Sequence, residues 1–246
     1  MEKMTAVVTG GTGGIGTAIC RQLSKDLHVV ACYFKGGQHA EAMQWQSDQK
    51  QLGFDIDILF ADIASFSNCE DLITLVLERY GRIDVLVNNA GTTNDCSLKK
   101  MTQEQWHQTI DSNLTGVFNM TRNVLPTMLE RGYGRIINIS SINGRKGQFG
   151  QCNYAATKSA LYGFTKSLAL EVASKGITVN TISPGYTKTP MLDKMSDEVL
   201  NAIIADIPMG RLAKPEEIAA GVAFLASSDA AFITGANLDI NGGQYM

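Results

Sequence analysis

The sequence has little from which metal, disulfide or nucleic-acid chemistry is built. Its three histidines, His28, His39 and His107, stand far apart, with no HxxxH and no cluster of carboxylates around them. No metal is expected on that spacing, and without a motif histidine neither is a hydrolase triad. The five cysteines, Cys20, Cys32, Cys69, Cys96 and Cys152, are irregularly spaced and odd in number, and no CxxC occurs. Reduced thiols are therefore expected, rather than a zinc site or a disulfide framework. Basic charge is scarce: 21 Lys and Arg against 24 Asp and Glu give a net charge of −3. Nucleic acid finds no basic field here. The short basic pairs Lys99-Lys100 and Arg145-Lys146 read as solvated surface. No apolar stretch approaches the roughly 18 residues of a membrane-spanning helix. Met1-Glu2-Lys3-Met4 does not open a charged-then-apolar leader, so a cytoplasmic protein is expected.

What is present is a rhythm. Short β-branched runs begin at Thr5–Thr9 and continue at His28–Tyr33, Phe54–Phe60, Ile83–Asn88, Gly134–Ser140, Ile177–Ser183 and Asn237–Ile240. Between them lie stretches with apolar spacing near 3.6, such as Ile15, Ile19 and Leu23. This predicts an α/β chain with a Rossmann-like, doubly wound, seven-stranded parallel sheet and helices on both faces. No repeat, linker or composition break divides the chain, so residues 1–246 read as one domain. Residues 187–210 contain Pro190, several Met and few strong anchors, and read as a mobile lid.

The first run passes directly into Thr9-Gly10-Gly11-Thr12-Gly13-Gly14-Ile15-Gly16, which opens the first helix. Glycines let backbone approach a pyrophosphate, and the helix N-terminus stabilises its charge. Gly10, Thr12, Gly13, Gly14, Ile15 and Gly16 are therefore candidate cofactor-binding residues. A dinucleotide with a free 2′-hydroxyl usually meets Asp or Glu at the end of the second strand. Tyr33-Phe34-Lys35 stands there, and no carboxylate follows until Glu41. Lys35 is placed to neutralise a 2′-phosphate, with Arg21 and His39 as lesser candidates, so NADP(H) is favoured over NAD(H). Asp62-Ile63, after the third run, would meet the adenine. Asn88-Asn89-Ala90-Gly91 closes the fourth, where the small residues let a cofactor lie close to the strand ends and the asparagines can tie backbone together, and Asn89, Ala90 and Gly91 are candidate cofactor-binding residues.

Tyr154 and Lys158 are four apart in a helical segment and so share one face. A neighbouring ammonium favours a phenolate, so Lys158 is expected to lower the Tyr154 pKa towards a value useful in acid–base catalysis. Ser141, just after the fifth run, can donate to a carbonyl oxygen that becomes alkoxide-like. Asn113 lies within a helix-forming stretch, where Asn is intrinsically unfavourable, which points to a local task such as holding a water near Lys158.

Together, TGGTGGIG, NNAG, Asn113, Ser141, the Tyr154/Lys158 pair and Pro184-Gly185 resemble the short-chain dehydrogenase/reductase family in order and spacing, over essentially the whole chain. The resemblance implies that Asn113, Ser141, Tyr154 and Lys158 form a catalytic tetrad. It further implies that Lys158 binds the nicotinamide ribose, that Asn113 supports a water relay, and that Pro184, Gly185 and Thr187 contact the nicotinamide end. Residues 140–154 and the ending Asn241-Gly242-Gly243-Gln244-Tyr245-Met246 are similar to bacterial acetoacetyl-CoA reductases of polyhydroxybutyrate biosynthesis. That likeness implies NADPH-dependent formation of (R)-3-hydroxybutyryl-CoA, with Asp95, Ser141, Gln148, Phe149, Gln151, Tyr154 and Tyr186 lining the acyl-CoA pocket. The wider family resemblance also implies a homotetramer. The lid departs from the pattern, offering Lys188 and Lys194 but no arginine before Arg211 to meet CoA phosphates. Alternatives are a 3-oxoacyl-(acyl carrier protein) reductase, a reductase of another ketone, and a non-catalytic dinucleotide sensor.

Overall fold

The computed structural model describes residues 3–34, 39–190 and 196–246. Its centre is a seven-stranded parallel sheet in the order β3-β2-β1-β4-β5-β6-β7. The strands are β1 (Thr5–Thr9), β2 (His28–Tyr33), β3 (Asp57–Phe60), β4 (Val85–Asn88), β5 (Gly134–Ile139), β6 (Ile177–Pro184) and β7 (Asn237–Ile240). The helices are α1 (Gly14–Leu23), α2 (His39–Gln51), α3 (Phe66–Tyr80), α4 (Gln103–Ile110), α5 (Gly116–Arg131), α6 (Asn143–Lys146), α7 (Cys152–Val172), α8 (Asp197–Ala205) and α9 (Pro215–Ala226). Among the described residues no helix is long and apolar enough to cross a membrane.

The strands read as unbroken apolar runs because both faces of the sheet are covered. Ala6, Val8, Ala31 and Ile137 point into a core with Ile19 of α1 and Val222 of α9. Val7, Val30, Leu86 and Ile136 point the other way, into a core with Leu72 of α3, Val124 of α5 and Leu168 of α7. Among the described residues, the outer strands β3 and β7 are the most exposed, and the inner strands are buried apart from His28 at the start of β2.

Strand ends differ from the sequence reading where local bonds intervene. The third strand begins at Asp57, not Phe54, because Gly53 turns at a φ of +88° and the Phe54 N–H returns to Gln49 O to close α2. The fourth begins at Val85, because the Asp84 carboxylate accepts the Thr5 N–H and the Arg82 guanidinium instead of facing a core. The sixth runs one residue further, to Pro184, whose missing N–H is tolerated at a strand end. Of the expected lid, α8 is ordered from its Ser196 cap, while 191–195, including Lys194, lie outside the described residues.

The sheet order reverses between β1 and β4, and there the strand ends open a crevice. The turn after β1 is built to fit it. Gly10 adopts a φ of +61°, and a Cβ on it would come within 2.9 Å of Ala90 Cα. Gly16 packs the first turn of α1 onto this loop so closely that a Cβ would lie 2.1 Å from Gly10 O. Substituting Gly16→Ala should therefore lower stability by about 3 kcal/mol in urea unfolding, as overpacking against backbone does. Exposed Gly13, where the nearest atom to an added Cβ is Gly10 O at 3.3 Å, should tolerate alanine at a cost below about 1 kcal/mol. Equal costs at the two positions would contradict this account of the turn.

Candidate active site

The cradle comes first. Thr9 Oγ1, at the end of β1, accepts the N–H groups of Asn89 and Ala90, each at 3.0 Å. Asn89 Nδ2 donates to Thr9 O at 2.9 Å and Gly10 O at 3.1 Å. The asparagine thus ties β4 to the glycine turn, and Thr9, which sequence reasoning passed over, is its partner. Gly13 caps α1 without any side-chain hydrogen bond, and the first turn of α1 carries no acid. The unpaired N–H groups of that turn suit an anion, which is the fit a pyrophosphate requires. Asp62 accepts the Ala64 N–H at 3.0 Å, fixing the loop after β3, and Ile63 is buried against Gly116. Pro184 O accepts the Ile142 N–H, and Thr187 Oγ1 donates to Gly185 O, which shapes the opposite rim. Lys35 lies outside the described residues.

The candidate reacting centre sits at the carboxyl end of β5, which Lys158 of α7 reaches with its side chain. Lys158 is buried, at 4% exposure, and its Nζ donates to Ile139 O at 2.8 Å. Its ammonium lies 5.6 Å from the centre of the Tyr154 ring. An ammonium has three protons, and among the described residues the structure supplies one hydrogen-bond acceptor, so the others are available to hydroxyls of a bound ribose. Burial lowers the Lys158 pKa to about 8. The expected lowering of Tyr154 is not found. Burial raises it, and the hydrogen bond from Ser141 opposes that rise. The spacing gave the neighbours correctly but could not report how dry the site is.

Ser141 Oγ accepts the Asn143 N–H at 3.1 Å, which leaves its own proton directed at the phenol. Asn113 does not sit in a regular helix. Asp111–Thr115 forms a π-turn between α4 and α5, in which the Gly116 N–H reaches back to Asp111 O. The wide turn brings Asn113 fully inside. Its Oδ1 accepts the Thr92 N–H at 2.8 Å, and its Nδ2 donates to Thr92 O at 2.9 Å and Thr157 Oγ1 at 3.3 Å. Both amide atoms are therefore spent on the wall beside Lys158.

The outer part of the cleft brings together several expected substrate residues. Gln151 Nε2 donates to Asp95 at 2.7 Å, and its Oε1 accepts from Asn143 Nδ2 at 2.9 Å. Asn143 also hydrogen-bonds Tyr186, whose pKa is raised by burial. Tyr186 and Gly185 line a cavity of about 70 Å³ with Ile207, Met209 and Arg211. Arg211 is paired with Glu217 through two hydrogen bonds. Gln148 and Phe149 stand apart from this belt. Gln148 accepts from Lys146 at 3.1 Å, and Phe149 is 90% exposed. Asn143 and Tyr162 were missed by sequence reasoning. The Tyr162 hydroxyl donates to Ser141 O at 3.2 Å and lies 2.9 Å from Ser183 Oγ. The only sequence signal for either is position, two residues after Ser141 and two turns after Tyr154.

Against known proteins, the short chain dehydrogenase family model matches residues 4–200. The chain is 52% identical over 241 residues to an acetoacetyl-CoA reductase of Allochromatium vinosum, covering 98% of each. It is 48% identical over 248 residues to that of Cupriavidus necator, covering 100% of both. A 3-oxoacyl-(acyl-carrier-protein) reductase of Vibrio cholerae is 42% identical over 246 residues, covering 100% of this chain and 99% of its own.

The buried lysine has a measurable signature. The unfolded chain keeps this proton up to roughly pH 10.4, its ordinary value, whereas the folded protein releases it near 8. Between these values the unfolded state binds more protons, so stability rises with pH across the window, and the deficit is complete below it. Lys158→Met keeps the stem and removes the charge. It should unfold at higher urea than the parent at pH 7, by up to about 3 kcal/mol less the lost hydrogen bond to Ile139. The gap should close by pH 10.5. A gap independent of pH would show that the ammonium is not desolvated.

Proposed function

The chain belongs to the short-chain dehydrogenase family, and from that premise we propose that it reduces acetoacetyl-CoA to (R)-3-hydroxybutyryl-CoA with NADPH. The observation that carries the reading is the Ser141–Tyr154–Lys158 arrangement, two hydroxyls in contact over a buried ammonium at the carboxyl end of β5. The near-complete coverage of two acetoacetyl-CoA reductases at about half identity supports the substrate.

Bound in the crevice, a nicotinamide dinucleotide supplies a hydride to the carbonyl carbon. The protein supplies the proton and the charge stabilisation. Ser141 donates to the ketone oxygen as negative charge develops there. Tyr154 Oη releases its proton to the same oxygen, so ketone plus hydride plus proton becomes the alcohol. Because burial keeps the phenol protonated at neutral pH, the acid is loaded before reaction. Lys158 neutralises the phenolate left behind and hydrogen-bonds the ribose. Asn113 is a positioning residue, holding Thr92 and Thr157. Gly10, Gly13, Gly14 and Ile15 hold the pyrophosphate, and Asp62 and Ile63 lie at the adenine. Gly185 and Thr187 border the carboxamide. The linked polar side chains of Asp95, Gln151, Asn143 and Tyr186 orient the thioester, with exposed Phe149 over the acyl chain. Exposed Phe66 and Phe118, with ring centres 6.4 Å apart on α3 and α5, and Leu238 on β7 are faces for a homotetramer. The setting we propose is the cytoplasm, in polyhydroxybutyrate synthesis.

Following NADPH absorbance tests this directly. The rate with acetoacetyl-CoA should exceed that with an acetoacetyl carrier protein more than threefold, and NADH should be the poorer donor. Tyr154→Phe should lower kcat by about a thousandfold with the fold intact. Undiminished turnover in that variant would remove Tyr154 from the chemistry. A preference for the carrier protein would reassign the substrate.

A further inference from the structure

At the carboxyl end of β2, where a carboxylate usually meets the adenosine ribose, the chain places an aromatic cluster. Tyr33 is the last residue of the strand and is buried. Its hydroxyl lies 2.5 Å from Nδ1 of His39, the first residue of α2. Phe60, at the end of neighbouring β3, packs edge-on to Tyr33 at 5.9 Å and against His39 at 5.6 Å. Tyr33 and Phe60 are paired in register, so two adjacent strand ends hold the imidazole in place. The cluster borders the phosphate cradle, since the Gly11 N–H donates to Cys32 O, one residue before Tyr33. The His39 ring is exposed on its outer side.

The hydrogen bond decides what that outer side offers. When the phenol donates to Nδ1, a neutral imidazole carries its proton on Nε2. When the ring is an imidazolium, both nitrogens carry protons. In either state the outward nitrogen is a donor, and an anion placed there selects these states over the remaining tautomer. A phosphate gains a charge-assisted bond from such a donor, whereas a hydroxyl gains little over water. Arg21, also weighed for this task, is turned elsewhere: its Nε donates to Gln49 at 2.7 Å and its guanidinium lies over Phe54 at 5.5 Å.

We propose that His39, oriented by Tyr33, recognises the 2′-phosphate of NADPH. His39 is the binding residue and Tyr33 its positioning residue. The inference rests on the NADPH reading above and deepens it by naming the group that discriminates.

Binding to the full chain, measured by calorimetry with NADPH, NADH, 2′,5′-ADP and 5′-AMP, tests it without turnover. His39→Ala should weaken NADPH and 2′,5′-ADP by about tenfold and leave NADH and 5′-AMP within twofold. Tyr33→Phe, which keeps the ring and removes the hydroxyl, should weaken the 2′-phosphorylated pair by about threefold. His39→Arg should keep the preference, because guanidinium also binds phosphate. Melting temperatures within a few degrees of the parent would show that the variants fold. A parent preference for NADPH that survives His39→Ala, or equal losses for NADH and NADPH, overturns this inference alone. Unchanged NADPH binding in Tyr33→Phe overturns the positioning role. Equal affinity of the parent for NADPH and NADH overturns the cofactor reading as well.

Discussion

The burial of the Lys158 ammonium is the constraint around which the site is built. A charge removed from water is costly unless it is hydrogen-bonded or paired. Here the first acceptor is Ile139 O, at the end of β5. To bring Nζ that close, α7 must lie almost on the sheet. Two glycines make the room. A Cβ on Gly91 would fall 3.3 Å from Nζ, and one on Gly144 would fall 2.8 Å from the Lys158 carbonyl carbon. Ser140 Oγ completes the seat, 2.8 Å from Lys158 O. Gly91 of the NNAG motif and Gly144 of α6 thus leave the room that one buried cation needs.

Buried polar bonds hold the surrounding strands and helices. Asn88 Nδ2 donates to Asn138 Oδ1 at 2.9 Å, tying β4 to β5. Asn138 donates to Thr165 of α7, which Thr181 of β6 also reaches at 2.8 Å. Tyr162 and Ser183 continue the chain to Asn237 of β7. Such networks fix one arrangement where their members are paired, and here Asn88 Oδ1 and Asn237 Nδ2 are the members' buried atoms without a partner among the described residues. Fixed donors aimed at a reacting oxygen are what electrostatic catalysis requires. The two outer ends of the crevice are held differently. Phe149 and His39 are both exposed, His39 while bonded to Tyr33 on its inner side.

Much of this was legible in the sequence. The strands announced themselves because a parallel sheet covered on both faces must be apolar throughout. The glycine turn and the Tyr154/Lys158 spacing were legible because local geometry alone dictates them. What was hidden depends on tertiary contacts. The π-turn at Asp111–Thr115 exists because Asn113 must reach both Thr92 and Thr157, which are distant in sequence. That Asn89 ties backbone together was legible, but that its partners are Thr9 and Gly10, some 80 residues earlier, was not. His39 ranked below Lys35 in the sequence because nothing local shows that Tyr33 turns back to meet it. The pKa directions were hidden for the same reason, since spacing reports neighbours and not dryness.

In the proposed reaction, those directions favour Tyr154 and Lys158 acting as a pair. A phenol held above its ordinary pKa stays loaded with its proton, but on its own it is a reluctant acid. A lysine lowered to about 8 is still mostly ammonium at neutral pH, but with little energy to spare. When Tyr154 gives up its proton, the phenolate and the ammonium neutralise each other in a dry site, where their attraction far exceeds its value in water. The desolvation that holds each charge back singly therefore favours forming them together, and the proton equilibrium belongs to the pair. Ser141, hydrogen-bonded to the phenol, couples that equilibrium to the oxygen being reduced. In the proposed mechanism the burial that raises Tyr154 has a role: it withholds the proton until the ketone oxygen has gained enough charge to take it.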